Sequence, residues 1–208
     1  MFPFPPTLYF LNLLNEPEVV VYDEPFAKQS LHSRYYILNS QGEQRLSVPV
    51  KHPPVGKMLF EVEIDNQMPW QRNHWRSLEA AYRQSAYFVH FEQELAQLFH
   101  SPYTRLIDFT VDSLTFCLKC VKKSPAQIKN SLTTLSDRQN TEQMGIITSR
   151  KSMKHVLPPT FGYPTVFGKA FDYNTSVLDA LFCAGPQHLL QAAQQWALIR
   201  YNSSETTV

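Results

Sequence analysis

The sequence predicts an α/β chain of α+β type, with a small mixed or antiparallel sheet containing a hairpin, packed against a layer of three or more helices. Two observations predict it. Residues 23–51 alternate apolar and cationic side chains around a Gln41-Gly42 turn signal, the period-2 pattern of paired strands. From residue 66 the apolar spacing becomes helical and stays so through three successive stripes that end near residue 122, as in helices laid against a sheet.

The 208 residues suffice for one domain with a sizeable core, so 1–208 is read as a single domain carrying a polar excursion at about 124–154. Three cysteines, an odd number with two of them three apart, argue against a disulfide framework and for a reducing compartment. The expected location is the cytoplasm. A net charge of +1 and a pI near 7.8 give no field that would draw the whole molecule to nucleic acid. The apolar amino terminus is broken by Pro3, Pro5 and Pro6 and lacks a basic leader, so it does not read as a signal peptide. No window approaches the roughly 18 uninterrupted apolar residues of a membrane span, so no direct membrane insertion is expected.

After an extended proline lead-in, Thr7 is placed to cap a short helix through Asn15, ended by Pro17. Val19, Val20 and Val21 form a β-branched run suited to a buried central strand. In the hairpin, pairing Ser40 with Glu43 sets Tyr35 opposite Val48, Ile37 opposite Leu46, Arg34 opposite Pro49 and His32 opposite Lys51. One face is then core and the other cationic. Residues 59–65 alternate again, with Phe60, Val62 and Ile64 on one face and Glu61 and Glu63 on the other. Helices are predicted over about 66–85, from Phe88 to near Pro102, and over about 103–122. The excursion is rich in Ser, Thr, Gln, Asn and Lys, with apolar islands at Ile128, Leu132 and Leu135. Thr175 or Ser176 then caps a helix through Phe182, Ala184-Gly185-Pro186 stops it, and a last helix spans about 187–201.

Phosphate-cradling glycine motifs and HExxH are absent, no metal site is expected, and nothing identifies a cofactor. Cys117 and Cys120 fall inside a helix, away from the amino end that would activate a thiol, and Cys183 with His188 reads as packing. Lys28, His32, Arg34 and Lys51, with Tyr36 and Ser47 interleaved, have the chemistry to surround a phosphate or carboxylate. His74 shares a stripe with Trp75, Leu78 and Tyr82, and Asp179 sits among Leu178, Leu181 and Phe182. A carboxylate in that company needs a partner, such as Arg34, His74 or a backbone amide.

Taken in order, these pieces resemble a known family. Tyr9-Phe10, Asp23-x-x-Phe26-x-Lys28, Ser33-Arg34 and Leu46-x-Val48-Pro49-Val50-Lys51 are similar to the opening of the WbqC-like family. Ile64-Asp65, Trp70, His74-Trp75, Ala81-Tyr82 and Tyr87-Phe88 resemble its next block, and the run from Ser176 to Phe182 followed by Gly185 resembles its close. Ser33 stands where the family has asparagine, Ala180 and Cys183 depart from the closing motif, and the interval before that motif is short and polar.

The resemblance implies surface polysaccharide biosynthesis of O-antigen type, with a transferase of acyl or aminoacyl groups acting on an anionic or nucleotide-linked sugar as one reading. A non-catalytic binding or assembly subunit, docking a pathway protein through the excursion, is the other. By motif position, His74 is expected as general base with Asp179 orienting it. Lys28, Arg34, Lys51, Tyr36, Trp70 and Tyr82 are expected to bind substrate.

Overall fold

The computed structural model describes residues 1–15, 25–51, 56–123, 161–167 and 175–205. The valine run at 19–21 and the polar excursion lie outside the described residues.

The hairpin forms as β1 (Arg34–Asn39) and β2 (Gly42–Ser47), antiparallel. Its register differs from expectation by two residues: Asn39 pairs with Gly42, Tyr35 with Leu46 and Arg34 with Ser47. The cause lies in the turn. Asn39 Oδ1 accepts the Gln41 N–H at 2.8 Å, an Asx interaction that makes Ser40 and Gln41 the turn's tip. Gly42 then supplies the positive φ, +118°, as the first residue of β2. A slip of two leaves every side chain on its predicted face.

The prediction of one core face and one cationic face is also corrected, because β1 is buried on both sides: Tyr35, Tyr36, Ile37 and Leu38 are all buried. The reason is that helices pack on it, Trp70–Tyr82 and Val177–Cys183 both contacting the strand, while both of its edges are also occupied. One edge holds β2, and on the other the Tyr36 carbonyl accepts the Ser176 N–H at 2.8 Å while the Leu38 N–H donates to Tyr82 Oη at 3.4 Å. The pairing continues outward as single bridges, Pro6 with Ser176, Val50 with Ile64 and Glu63 with Arg105. Residues 59–65 therefore do not form the expected strand. Leu59–Glu61 is a 3₁₀ turn that buries Leu59 and exposes Phe60, and only Glu63 and Ile64 make bridges.

Six helices surround this sheet among the described residues: α1 (Thr7–Asn15), α2 (Trp70–Tyr82), α3 (Phe88–His100), α4 (Leu106–Cys120), α5 (Val177–Cys183) and α6 (Pro186–Glu205). Helices α2, α3 and α4 pack in sequence, with α2 against β1, as the three apolar stripes predict. Asn66 and Thr7 do not cap the helices that follow them. Asn66 instead joins the Tyr103 carbonyl to the Trp70 indole, and Thr7 donates both its N–H and its hydroxyl to the Thr175 carbonyl. Ser176 does cap α5, accepting the Leu178 N–H.

The amino-terminal segment is a core element rather than a lead-in. Phe4 is fully buried in a left-handed conformation, φ +40°, and its ring meets Tyr35, Phe99, Phe109 and Phe116. Such backbone strain costs about 1–3 kcal/mol, and burial of a phenylalanine contributes a similar amount. The Val177 N–H bonds the Pro5 carbonyl, which ties α5 to the start of the chain. Between α5 and α6, Gly185 has φ +89°, and a Cβ there would lie 2.5 Å from the Tyr87 ring. Only glycine fits that contact.

Candidate functional site

Two buried polar nodes flank β1, and they hold four of the residues that the sequence nominates, His74, Trp70, Asp179 and Tyr82. The first is built on His74 of α2, which faces the sheet because it shares the stripe of Trp70, Leu78 and Tyr82. Its Nδ1 lies 3.0 Å from Tyr35 Oη and its Nε2 lies 3.2 Å from the Ser47 carbonyl. A carbonyl only accepts, so Nε2 carries the proton and Nδ1 accepts from the Tyr35 hydroxyl. Burial pulls the imidazole down to about 4, opposed by the bond to Ser47, so the ring is neutral at pH 7. Trp70 and Tyr35 meet it edge-on at 5.2 and 5.4 Å, and Phe99 closes the remaining side. Both nitrogens are thus occupied.

The second node is built on Asp179 of α5, buried to 1% exposure. Tyr163 Oη donates to its Oδ2 at 2.7 Å, and the Tyr82 phenol is close enough to favour the charged carboxylate. Burial raises the carboxyl above its usual range, and the two phenols oppose that rise. Burial, and then the Asp179 charge, pushes both phenols up, and the same two causes push the Cys183 thiol up to about 12. Cys183 is therefore a neutral thiol, with no thiolate at neutral pH. Unlike the imidazole, Asp179 is held by a residue that is partly exposed: Tyr163 is half-buried, and its ring meets half-buried His188 at 5.7 Å. A carboxyl and a phenol that share a hydrogen bond can pass a proton between them.

The nodes are not joined by a hydrogen bond between His74 and Asp179: the first bonds Tyr35 and Ser47, the second Tyr163. What links them is β1. Tyr35 reaches His74, and two residues further along the strand reach Ser176, the cap of α5, and Tyr82 through the Tyr36 carbonyl and the Leu38 N–H.

The predicted register does not place the cationic set. Lys28 is exposed, and Arg34 Nη1 donates to the Gln29 carbonyl at 3.3 Å, bracing a residue at φ +64°. Lys51 lies beside Glu63, 3.0 Å away, rather than opposite His32, because Val50 pairs with Ile64. Both members of that pair are about half exposed, a setting in which an ion pair contributes about 0–1 kcal/mol. Tyr36, Trp70 and Tyr82, expected to touch substrate, are buried, with Trp70 Nε1 bonded to Asn66. Sequence reasoning missed Tyr163 and Tyr35. Tyr163 sits in a proline-rich connection with no periodicity to mark it, whereas alternation placed Tyr35 only as core. Among the described residues no group of three or more His, Cys, Asp or Glu is arranged to hold a metal, and no helix is long and apolar enough to cross a membrane.

No solved structure matches the chain. It is 28% identical over 92 residues to "Uncharacterized protein Rv1507c" of Mycobacterium tuberculosis (strain ATCC 25618 / H37Rv), a stretch that is 44% of this chain and 40% of that protein. The chain thus spans about two fifths of that relative's length. The family model described as "WbqC-like protein family" matches residues 3–163, which takes in the hairpin, all of α1 to α4 and Tyr163 at its last position, and by that match the chain belongs to the WbqC-like protein family.

Proposed function

We propose that the chain acts in surface polysaccharide biosynthesis as a transferase that moves an acyl or aminoacyl group onto an anionic or nucleotide-linked sugar. Family membership supports the setting, and the Asp179–Tyr163 pair is the single observation that carries the chemistry. In such a transfer the bond from the acyl carbon to its leaving group breaks as a bond to the acceptor's nitrogen or oxygen forms. The acceptor's proton must be taken and the leaving group given one. In this reading Asp179, through Tyr163, handles that proton. His74, assigned from motif position as general base, has both nitrogens engaged, so its part is to fix β2 against α2. Lys28 and Arg34 hold the anion, and Lys51 would exchange Glu63 for it.

The test is a thermal-shift panel of nucleotide sugars, acyl-CoA donors and simple anions, followed by a turnover assay on whatever binds. A selective rise is expected, since a ligand at a hundred times its Kd stabilises by about 2.7 kcal/mol, and Arg34→Ala should abolish it. Asp179→Asn should keep the shift and lose turnover. A flat panel would overturn the substrate assignment, and full turnover by Asp179→Asn would overturn the proton role. The second reading, a non-catalytic binding or assembly subunit, is favoured by one observation: Arg34 and Lys51 already have intramolecular partners.

A further inference from the structure

Away from both nodes, the end of α4, the start of α6 and the outer face of α3 enclose a cavity of about 470 Å³, within the range of small-molecule sites. Its lining is mixed. Phe91, Val121 and Leu190 are apolar, Lys119 and Lys122 from the end of α4 are cationic, with Cys120 between them, and α3 adds His90 and the Glu94 carboxylate. The first turn of α6, Pro186 and Gln187, forms the wall beside the lysines. The other side of that turn carries His188 against Tyr163, so the cavity is distinct from the Asp179 node.

Lys122 is the informative residue. The Lys123 N–H bonds the Leu118 carbonyl and the Lys122 N–H bonds the Lys119 carbonyl, which is the Schellman closure of a helix. Its left-handed position is normally glycine, and here a lysine occupies it at φ +58°. A lysine there strains the backbone. Helix closure alone does not call for this side chain, and what it adds is an exposed ammonium at the cavity rim.

We propose that this cavity binds a small organic phosphate whose ring-bearing body lies on Phe91, Val121 and Leu190. The phosphate sits between Lys119, Lys122 and the α6 wall, where charge-assisted hydrogen bonds are strongest. Glu94 accepts a hydrogen bond from a hydroxyl or amino group on the body. The inference does not rest on the proposed transferase activity and concerns different residues.

Lys122→Gly tests it, because the substitution should relieve the left-handed strain while removing the ammonium. The full chain is titrated calorimetrically with a nucleoside monophosphate, with the matching nucleoside and with inorganic phosphate, and Lys119→Ala and Lys122→Gly are measured alongside. The monophosphate is expected to bind, each lysine variant weakening it roughly tenfold to a hundredfold, while Lys122→Gly melts at the same temperature as the parent or higher. Binding of inorganic phosphate as tight as the monophosphate would overturn the apolar half of the proposal. No binding by any phosphate, as expected if the chain's own residues fill the cavity, would overturn it entirely, as would binding unchanged in both variants.

Discussion

The His74 and Asp179 nodes differ less in burial than in what lies beyond them. His74 is ringed by Tyr35, Trp70 and Phe99, with both nitrogens committed to protein groups. Asp179 is just as deep, but its partner Tyr163 is half-buried and touches half-buried His188. A titratable group with no exit can organise structure. One that shares a hydrogen bond with a partly exposed phenol has a proton partner as well. The contrast teaches that residues nominated together by motif position separate once the strand between them is seen, one set holding the hairpin to α2 and the other holding α5 to Tyr163.

The sharpest way to break the contrast is His74→Phe. An aromatic ring is kept, but the Tyr35 hydroxyl, buried, loses its partner at a cost of about 1–3 kcal/mol, and the larger six-membered ring must be fitted into a packed site at about 1–3 kcal/mol more. Urea denaturation should show a loss of about 2–5 kcal/mol. A loss under 1 would mean that water or another group reaches the node. Gly185→Ala is expected to cost about 2–4 kcal/mol, from the φ of +89° and the overlap with the Tyr87 ring. Because that ring sits where α5 meets α3, the damage should fall on the Asp179 side, and Tyr87→Ala in the same background should restore part of the loss.

The nodes should also oppose each other in pH dependence. His74 titrates at about 4 in the folded chain and near 6.5 when unfolded. Its contribution is therefore fully present above about 6.5 and is lost as the pH falls through 4, amounting to about 3 kcal/mol at most. Asp179 is shifted up, so the sign reverses: its contribution is complete below the unfolded carboxyl value, near 3.9, and is lost as the pH rises through the folded one. Melting temperatures from pH 4 to 8 should show a parent that gains stability toward 6.5 and a His74→Phe variant that gains less. Asp179→Asn should compare more favourably with the parent at pH 8 than at pH 4. The same trend in both variants would dissolve the distinction between the nodes.

Much of this architecture is legible in the sequence because it rests on periodicity. Leu78, Leu95 and Leu114 mark three helix faces that pack as predicted, and the strand faces survive a register error because a slip of two preserves alternation. The register itself was not legible, since Asn39 rather than Gly42 decides where the turn closes. Nor was the strand's second occupied edge, which is filled because Ser176, 140 positions beyond Tyr36, returns to β1. The candidate site follows the same rule. His74 and Asp179 stand out as polar residues on apolar stripes, whereas Tyr163 lies in an aperiodic, proline-rich stretch and is joined to Asp179 only by tertiary folding.

The smallest predicted effect is the most specific. Tyr163→Phe removes a single hydroxyl from a half-buried ring and leaves the contact with His188 intact, so its stability cost is that of one hydrogen bond, about 1 kcal/mol. The informative change is in Asp179. The Tyr163 hydroxyl favours the charged carboxylate, so its loss must drive the Asp179 carboxyl still higher, and the upper end of the pH range over which stability is lost should rise with it while the lower end stays at the unfolded value. Carboxyl titration followed by NMR would read this directly. An upward shift in Tyr163→Phe with no shift in Tyr35→Phe would show that the two phenols serve separate nodes, and an equal shift in both would mean that β1 transmits charge between them.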